Sequence, residues 1–228
     1  MLSFFRRNKS KNTETPKSYY PDYWERYAAL FDHEPELDLQ TSRFVVLDTE
    51  TTGFDYNIDR VLCIGAVEIV NRQINVSNTF ETYIRQERFN EKTVEIHGIL
   101  KHERIVTFSE DEAIQQFLAY VGNAIIVAHH ARFDMTMINE MLKRKGLPVL
   151  KNKVLDTVNL YRATRIKSNF IQYDKPYTLD EIAENYILDV SDRHTAAGDA
   201  LITALIFLKT TAILSNKKKL TLSKMFNL

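Results

Sequence analysis

The chain has 228 residues, 44% of them hydrophobic, which suits one domain with extensions rather than two full domains. Its 30 basic and 30 acidic residues cancel, so no global charge draws it to nucleic acid. Cys63 is the only cysteine, which excludes an intrachain disulfide and a cysteine-rich zinc site; set between Leu62 and Ile64, it reads as a buried thiol of a reducing, cytoplasmic setting.

Residues 1–42 read as an N-terminal extension. The apolar start, Met-Leu-Ser-Phe-Phe, is too short for a signal peptide, and residues 6–18 form a polar, basic arm. Trp24, Tyr27, Ala28 and Phe31 recur at i, i+3, i+4 and i+7, one stripe of a helix. Asp22 is expected to cap it, with Glu25 as the return partner of a capping box. A helix this short is marginal alone, so the stripe must dock, either on the protein's own core or on a partner. An acidic linker covers 34–40.

The main domain is expected over 43–214. Phe44–Thr49, Arg60–Val70 and Gln73–Ile84 read as three strands, the last two joined by a tight turn at Asn71-Arg72. Ser109 with Glu112 opens a helix to Val121, and Ala124–Ala128 is a short apolar strand. Arg132–Lys145 is a helix ended by Gly146 and Pro148; Val154–Leu155 is an edge strand followed by a helix to Thr164. Thr178 with Glu181 opens a helix to Tyr186, and the last helix runs over Ala196–Leu214. Three strands followed by alternating helix and strand predict an α/β domain with a mixed sheet. The longest apolar run, Ala200–Leu208, is too short to span a bilayer, so no membrane partner is expected. Residues 143–175 carry nine Lys/Arg against two acids, either a solvated face or a place to hold phosphates. Residues 215–228 form a basic tail with Lys217-Lys-Lys219, Leu220-Thr-Leu222 and Met225-Phe226. It reads as a frayed end or as a Leu- and Phe-containing peptide for a sliding clamp, without the leading Gln.

Four acids and one histidine carry the chemistry. Asp48 and Glu50 are two apart on a strand, so both leave one face with Thr49 opposite. Asp134 stands in the first turn of a helix, where a carboxylate ordinarily serves the helix dipole. Asp199 lies in an apolar helix and is costly to bury without a partner. Clustered carboxylates repel unless cations bind. If the four converge, they form a divalent-metal site with His194 as candidate base; His129 and His130 are its rivals.

These motifs resemble the DEDDh 3′–5′ exonucleases, the group that includes the proofreading epsilon subunit of bacterial DNA polymerase III and ribonuclease T. The resemblance covers roughly residues 43 to 214. Asp48-Thr-Glu-Thr-Thr-Gly53 matches the first motif, Arg60–Val67 the second strand, and Ile96-His-Gly-Ile99 a groove element. Ala128–Asp134 resembles the second acidic motif, and His194-x-Ala196-x-x-Asp199 the third in its histidine form. Departures are His130 where the family has Asn, Leu100 where it often has Thr, and Phe54 where an aliphatic residue is common.

The resemblance implies a ribonuclease H-like five-stranded mixed sheet flanked by helices. It implies two divalent ions, Mg²⁺ or Mn²⁺, with Asp48 bridging both, Glu50 and Asp199 completing one site and Asp134 holding the other through water. His194 would take the proton from the attacking water. For substrate it implies contacts from the backbone of Thr51, Thr52 and Gly53, from His97 and His130, and from Phe54 and Phe133 stacking on terminal bases, either of which could instead be core. The expected reaction releases nucleoside 5′-monophosphates from a DNA 3′ end, single-stranded or frayed, with a polymerase or sliding clamp as partner. RNA is the alternative substrate. A polymerase- or clamp-associated binding module with incidental nuclease residues is the alternative of another class.

Overall fold

Each face of one strand is buried by a different layer of helices. In the computed structural model the described residues are 19–33, 38–86, 106–165, 175–217 and 219–228. Strand β1 (Phe44–Thr51) points Val45 and Leu47 into one core and Phe44 and Val46 into another. Both faces are covered, so the strand reads as a continuous apolar run before its acids begin.

β2 (Val61–Val70) runs antiparallel to β1, and β3 (Gln73–Ile84) antiparallel to β2. Their turn places Asn71 and Arg72 at φ +51° and +61°, the paired left-handed conformation of a two-residue hairpin. Beyond β1, strand β5 (Ile125–Ala128) runs parallel to it, and β6 (Val154–Asp156) runs parallel to β5. The expected sheet has five strands; among the described residues it has six. The addition is β4 (Thr107–Phe108), two residues parallel to the end of β3, in the order β4-β3-β2-β1-β5-β6. Two residues are too few to leave an alternation in the sequence.

Helices α2 (Glu110–Val121) and α3 (Arg132–Arg144) pack on one face of the sheet. The other face takes α6 (Ala196–Lys217), with α4 (Thr157–Thr164) and α5 (Leu179–Asn185) packed on it in turn. Two of the three predicted capping boxes form, Ser109 with Glu112 and Thr178 with Glu181. By length and composition α6 could cross a bilayer, yet Ala200, Ala204, Ile206 and Phe207 are buried in the domain.

The N-terminal stripe docks on its own core. Helix α1 (Asp22–Ala29) buries Trp24 and Tyr27 against the α2–α3 side. Tyr27 Oη donates to Asn152 Oδ1 at 2.6 Å and accepts from the Lys151 amide at 2.8 Å. Asn152 Nδ2 in turn donates to the carbonyls of Gly122 and Ala124. Asp22 does not cap this helix: Pro21 holds the cap position and takes the Trp24 and Glu25 amides on its carbonyl, so Asp22 falls inside the first turn. Trp24→Ala is therefore expected to cost about 3–5 kcal/mol in urea unfolding, the penalty of truncating a buried aromatic. A peripheral arm would lose less than about 0.5 kcal/mol.

The chain end is not frayed. Helix α7 (Leu222–Met225), capped by Thr221, buries Leu222 and Met225 in the Phe44–Phe207 cluster. Leu220 and Phe226 pack partly buried on the same cluster, while Leu228 is exposed. His97, with the rest of Ile96–Ile99 and Leu100, lies outside the described residues.

Candidate active site

Asp48 and Glu50 continue the Phe44–Val46 side of β1 and so face α6. Across the sheet, Asp48 is paired with Gly65 of β2. A Cβ at Gly65 would stand 2.2 Å from the Ala196 carbonyl carbon, so the missing side chain lets the start of α6 lie directly on the sheet. That approach brings Asp199 beside the two strand carboxylates. The turn into α6 is equally tight. A Cβ at Gly198 would lie 2.0 Å from the Asp192 carbonyl oxygen, while Thr195 Oγ1 accepts from the Gly198 amide at 3.1 Å. His194 sits in this turn at φ +67°, exposed at the lip of the cleft.

Asp48, Glu50 and Asp199 each present an oxygen, all within 4.8 Å of one another. Asp134 arrives from the opposite face. Thr49, on the odd side of β1, donates to its Oδ1 at 2.7 Å, and the carboxylate is buried. All five predicted residues, Asp48, Glu50, Asp134, His194 and Asp199, line one cleft of about 330 Å³.

The electrostatics are those of a site short of positive charge. Asp48 is held well above the usual carboxylate range, first by burial and then by Asp134, Asp199 and Glu50. Glu50 is pushed up to about 7 by burial and by Asp199. Asp134 is pushed up to about 7 by burial, against hydrogen bonds from Thr49 and backbone amides. Arg193 opposes the rise at Asp48 and Glu50. Its Nη1 donates to Asp199 Oδ2 at 2.5 Å, while Asp199 Oδ1 is buried with no hydrogen-bond partner among the described residues. An all-oxygen set with one orphaned buried oxygen fits hard divalent cations such as Mg²⁺ or Mn²⁺.

A pH dependence follows. Glu50 and Asp134 have folded-state pKa values above their unfolded ones, so protonation stabilises the metal-free fold. That stability is fully present below the unfolded carboxylate range and is lost as pH rises through about 7. Thermal melts in EDTA are expected to show a higher melting temperature at about pH 5.5 than at about pH 8, with the difference shrinking in saturating Mn²⁺. A metal-free protein that melts higher at the alkaline end would contradict this charge balance.

The rival histidines have other duties. His129 Nε2 lies 3.0 Å from the Tyr177 carbonyl, which can only accept, so Nε2 carries the proton and Nδ1 accepts from Thr157 Oγ1 at 2.9 Å. Burial, with His130 next, lowers its pKa to about 4. Neither nitrogen is free to take a proton from water. His130 is exposed in the cleft at φ +54°, a left-handed position that Asn and His enter more readily than most residues. Its carbonyl accepts the Phe133 amide at the head of α3.

Of the predicted substrate contacts, Thr51, Phe54, His130 and Phe133 line the cleft. Thr52 and Gly53 do not. Thr52 donates to Asp59 Oδ1 at 2.8 Å, and a Cβ at Gly53 would meet the Asp59 carboxylate at 2.4 Å. Gly53 thus makes room for an internal carboxylate. Phe54 and Phe133 pack with ring centroids 5.7 Å apart, and Tyr56, outside the cleft lining, meets Phe133 at 5.8 Å. Phe133 is both core and wall, half-buried against Met137's cluster with one side to the cleft.

The basic stretch 143–175 places no described member in the cleft lining. Arg144 pairs with Glu110, Lys175 with Glu181, and Lys151 and Lys153 rest over Phe31 and Phe226. Sequence reading missed Arg193 and Asp180, although Arg193 directly precedes His194 in the third motif.

The RNase T family model, described as exonuclease, matches residues 45–207. The chain belongs to this exonuclease family. As an exonuclease of the DnaQ/RNase T type it is a hydrolytic nuclease, and its α/β sheet is the ribonuclease H-like one. DNA polymerase III PolC-type from Caldanaerobacter subterraneus subsp. tengcongensis is 36% identical over 181 residues, covering 77% of this exonuclease and 12% of that protein. The PolC-type protein of Thermotoga petrophila is 32% identical over 191 residues, covering 83% and 13%. The chain therefore spans only about an eighth of the length of these relatives. Among solved structures, exonuclease X in complex with 5′ overhanging duplex DNA matches with a TM-score of 0.59 at 22% identity, covering 82% of this exonuclease and 98% of that chain. E. coli exonuclease I in complex with a dT13 oligonucleotide matches at 0.63 and 18%, covering 82% and 43%. At these identities the structural likeness is one of fold.

Proposed function

We propose that this exonuclease removes nucleotides one at a time from the 3′ end of single-stranded or frayed DNA. The products are nucleoside 5′-monophosphates, and the activity serves a DNA polymerase in a reducing, cytoplasmic setting. The observation that carries the reading is the convergence of Asp48, Glu50 and Asp199 with an orphaned Asp199 Oδ1, beside Asp134 and an exposed His194. The 3′–5′ polarity comes from the motif resemblance, and the preference for DNA from the sequence likeness to the PolC-type polymerases.

Asp48, Glu50 and Asp199 would hold one divalent ion, and Asp48 with Asp134 a second. Such a pair supplies charge stabilisation to the attacking and leaving oxygens at phosphorus. His194 stands at the cleft mouth, open to water, and acts as the base that takes the water proton. His129 cannot share that task, because both its nitrogens are committed. Phe54 and Phe133 form an aromatic wall of the cleft suited to a terminal base, which stacks without regard to sequence, and Tyr56 backs Phe133 from outside the lining. His130 reaches the same cleft and contacts the terminal nucleotide.

Matched DNA and RNA single strands of the same sequence test the substrate class. Faster loss of DNA at equal enzyme concentration is expected, and His194→Ala should slow it by about 10²–10⁴-fold. Faster loss of RNA would make the enzyme an exoribonuclease.

A further inference from the structure

Arg193 has no part in the reaction scheme above, yet it is the best-anchored charge at the site. Its Nε and Nη2 donate to the two oxygens of Asp180, at 2.6 and 3.0 Å, in the first turn of α5. Its Nη1 reaches the other way, to Asp199 Oδ2. One planar guanidinium thus spans two carboxylates from two helices, a span that a lysine ammonium does not reproduce. Asp199 is left with one oxygen pinned and the other, Oδ1, buried without a partner among the described residues.

We propose that Arg193 is a positioning residue, anchored by Asp180, that fixes the Asp199 carboxylate so that Oδ1 is the oxygen offered to a divalent cation beside Asp48 and Glu50. This rests on the nuclease reading of the site. Asp180 is largely exposed and lines no part of the cleft, so its effect on the site passes through Arg193. The same fork ties α5 to the turn that carries His194, one residue along the chain.

Calorimetric titration of Mn²⁺ into the metal-free full chain tests the proposal. Arg193→Lys keeps the charge and loses the fork; Asp180→Asn keeps the arginine and loses its anchor. Both are expected to weaken Mn²⁺ binding by about 10–100-fold, the usual loss when a ligand's orienting partner is removed. The weakening should persist at about 1 M KCl, where the screening length is about 3 Å. Arg193→Lys binding within about twofold of wild type overturns the proposal. So does a weakening that vanishes in high salt, because charge alone then explains it. Asp180 is exposed, so Asp180→Asn reports even if the arginine variant misfolds. Wild-type chain that binds no Mn²⁺ and hydrolyses no single-stranded DNA overturns the nuclease reading as well. Wild-type-like variants of an active, Mn²⁺-binding enzyme overturn this proposal alone.

Discussion

Asp48→Asn is expected to lose hydrolysis by about 10³-fold or more and yet to melt at a higher temperature than wild type in EDTA. The loss follows from removing the carboxylate at the centre of the cluster, where several kcal/mol of transition-state stabilisation converge, and each 1.36 kcal/mol is about tenfold in rate. The gain follows from the same position. Burial and three neighbouring acids all disfavour the Asp48 charge, and only Arg193 opposes them. A neutral isostere relieves that repulsion, and for a domain of this size each kcal/mol relieved raises the melting temperature by about 2–4 °C. The gain should be larger at about pH 8 than at about pH 5.5, because at the lower pH Glu50 and Asp134, both near 7, are already largely protonated. An Asp48→Asn protein that hydrolyses DNA normally, or melts lower without metal at both pH values, would contradict the assignment. Opposed changes in activity and stability mark a site whose cost the fold carries for function.

Gly65→Ala should be nearly as damaging, by a different route. The new methyl group would sit 2.2 Å from the Ala196 carbonyl carbon and 2.3 Å from the Ala197 amide nitrogen, both backbone atoms. Neither can rotate away, so α6 must lift from β2. Overpacking of this kind costs about 1–3 kcal/mol, which urea unfolding will read. Asp199 and His194 travel with the start of α6, and a shift of about 1 Å at reacting groups costs about 10²-fold in rate. Gly146→Ala is the control: its Cβ would meet nothing within 4 Å, and although its φ of +70° carries some strain, it lies in the α3–β6 connection and does not line the cleft. Full activity in Gly65→Ala would mean that the approach of α6 does not set the site.

Most of what was legible in the sequence was local. The Asp48/Glu50 spacing put both carboxylates on one face of β1 with Thr49 opposite, because side chains on a strand repeat every two residues, whereas the run Phe44-Val45-Val46-Leu47 is apolar throughout and did not show which side faces which layer. Ser109 with Glu112 and Thr178 with Glu181 marked two helix starts correctly, since a capping box is complete within four residues. The parts that were not legible depend on contacts between distant segments. The role of Gly65 is defined by Ala196, the bond of Tyr27 by Asn152, and the fork of Arg193 by Asp180 and Asp199. Leu222 and Met225 looked like part of a loose tail because four residues carry too little periodicity to reveal a docked helix. His129 looked like a rival base until the Tyr177 carbonyl fixed its tautomer.

The central claim is metal-dependent hydrolysis from the 3′ end by the Asp48–Glu50–Asp134–His194–Asp199 constellation. A single-stranded DNA labelled at the 3′ end in one sample and at the 5′ end in another, incubated with the enzyme in Mg²⁺ or Mn²⁺ and in EDTA, measures it directly. The account predicts that the 3′ label appears first as a nucleoside 5′-monophosphate, that the 5′-labelled strand shortens through a ladder, and that EDTA stops both. Release of the 5′ label as the first product, or undiminished cleavage in EDTA, would contradict it.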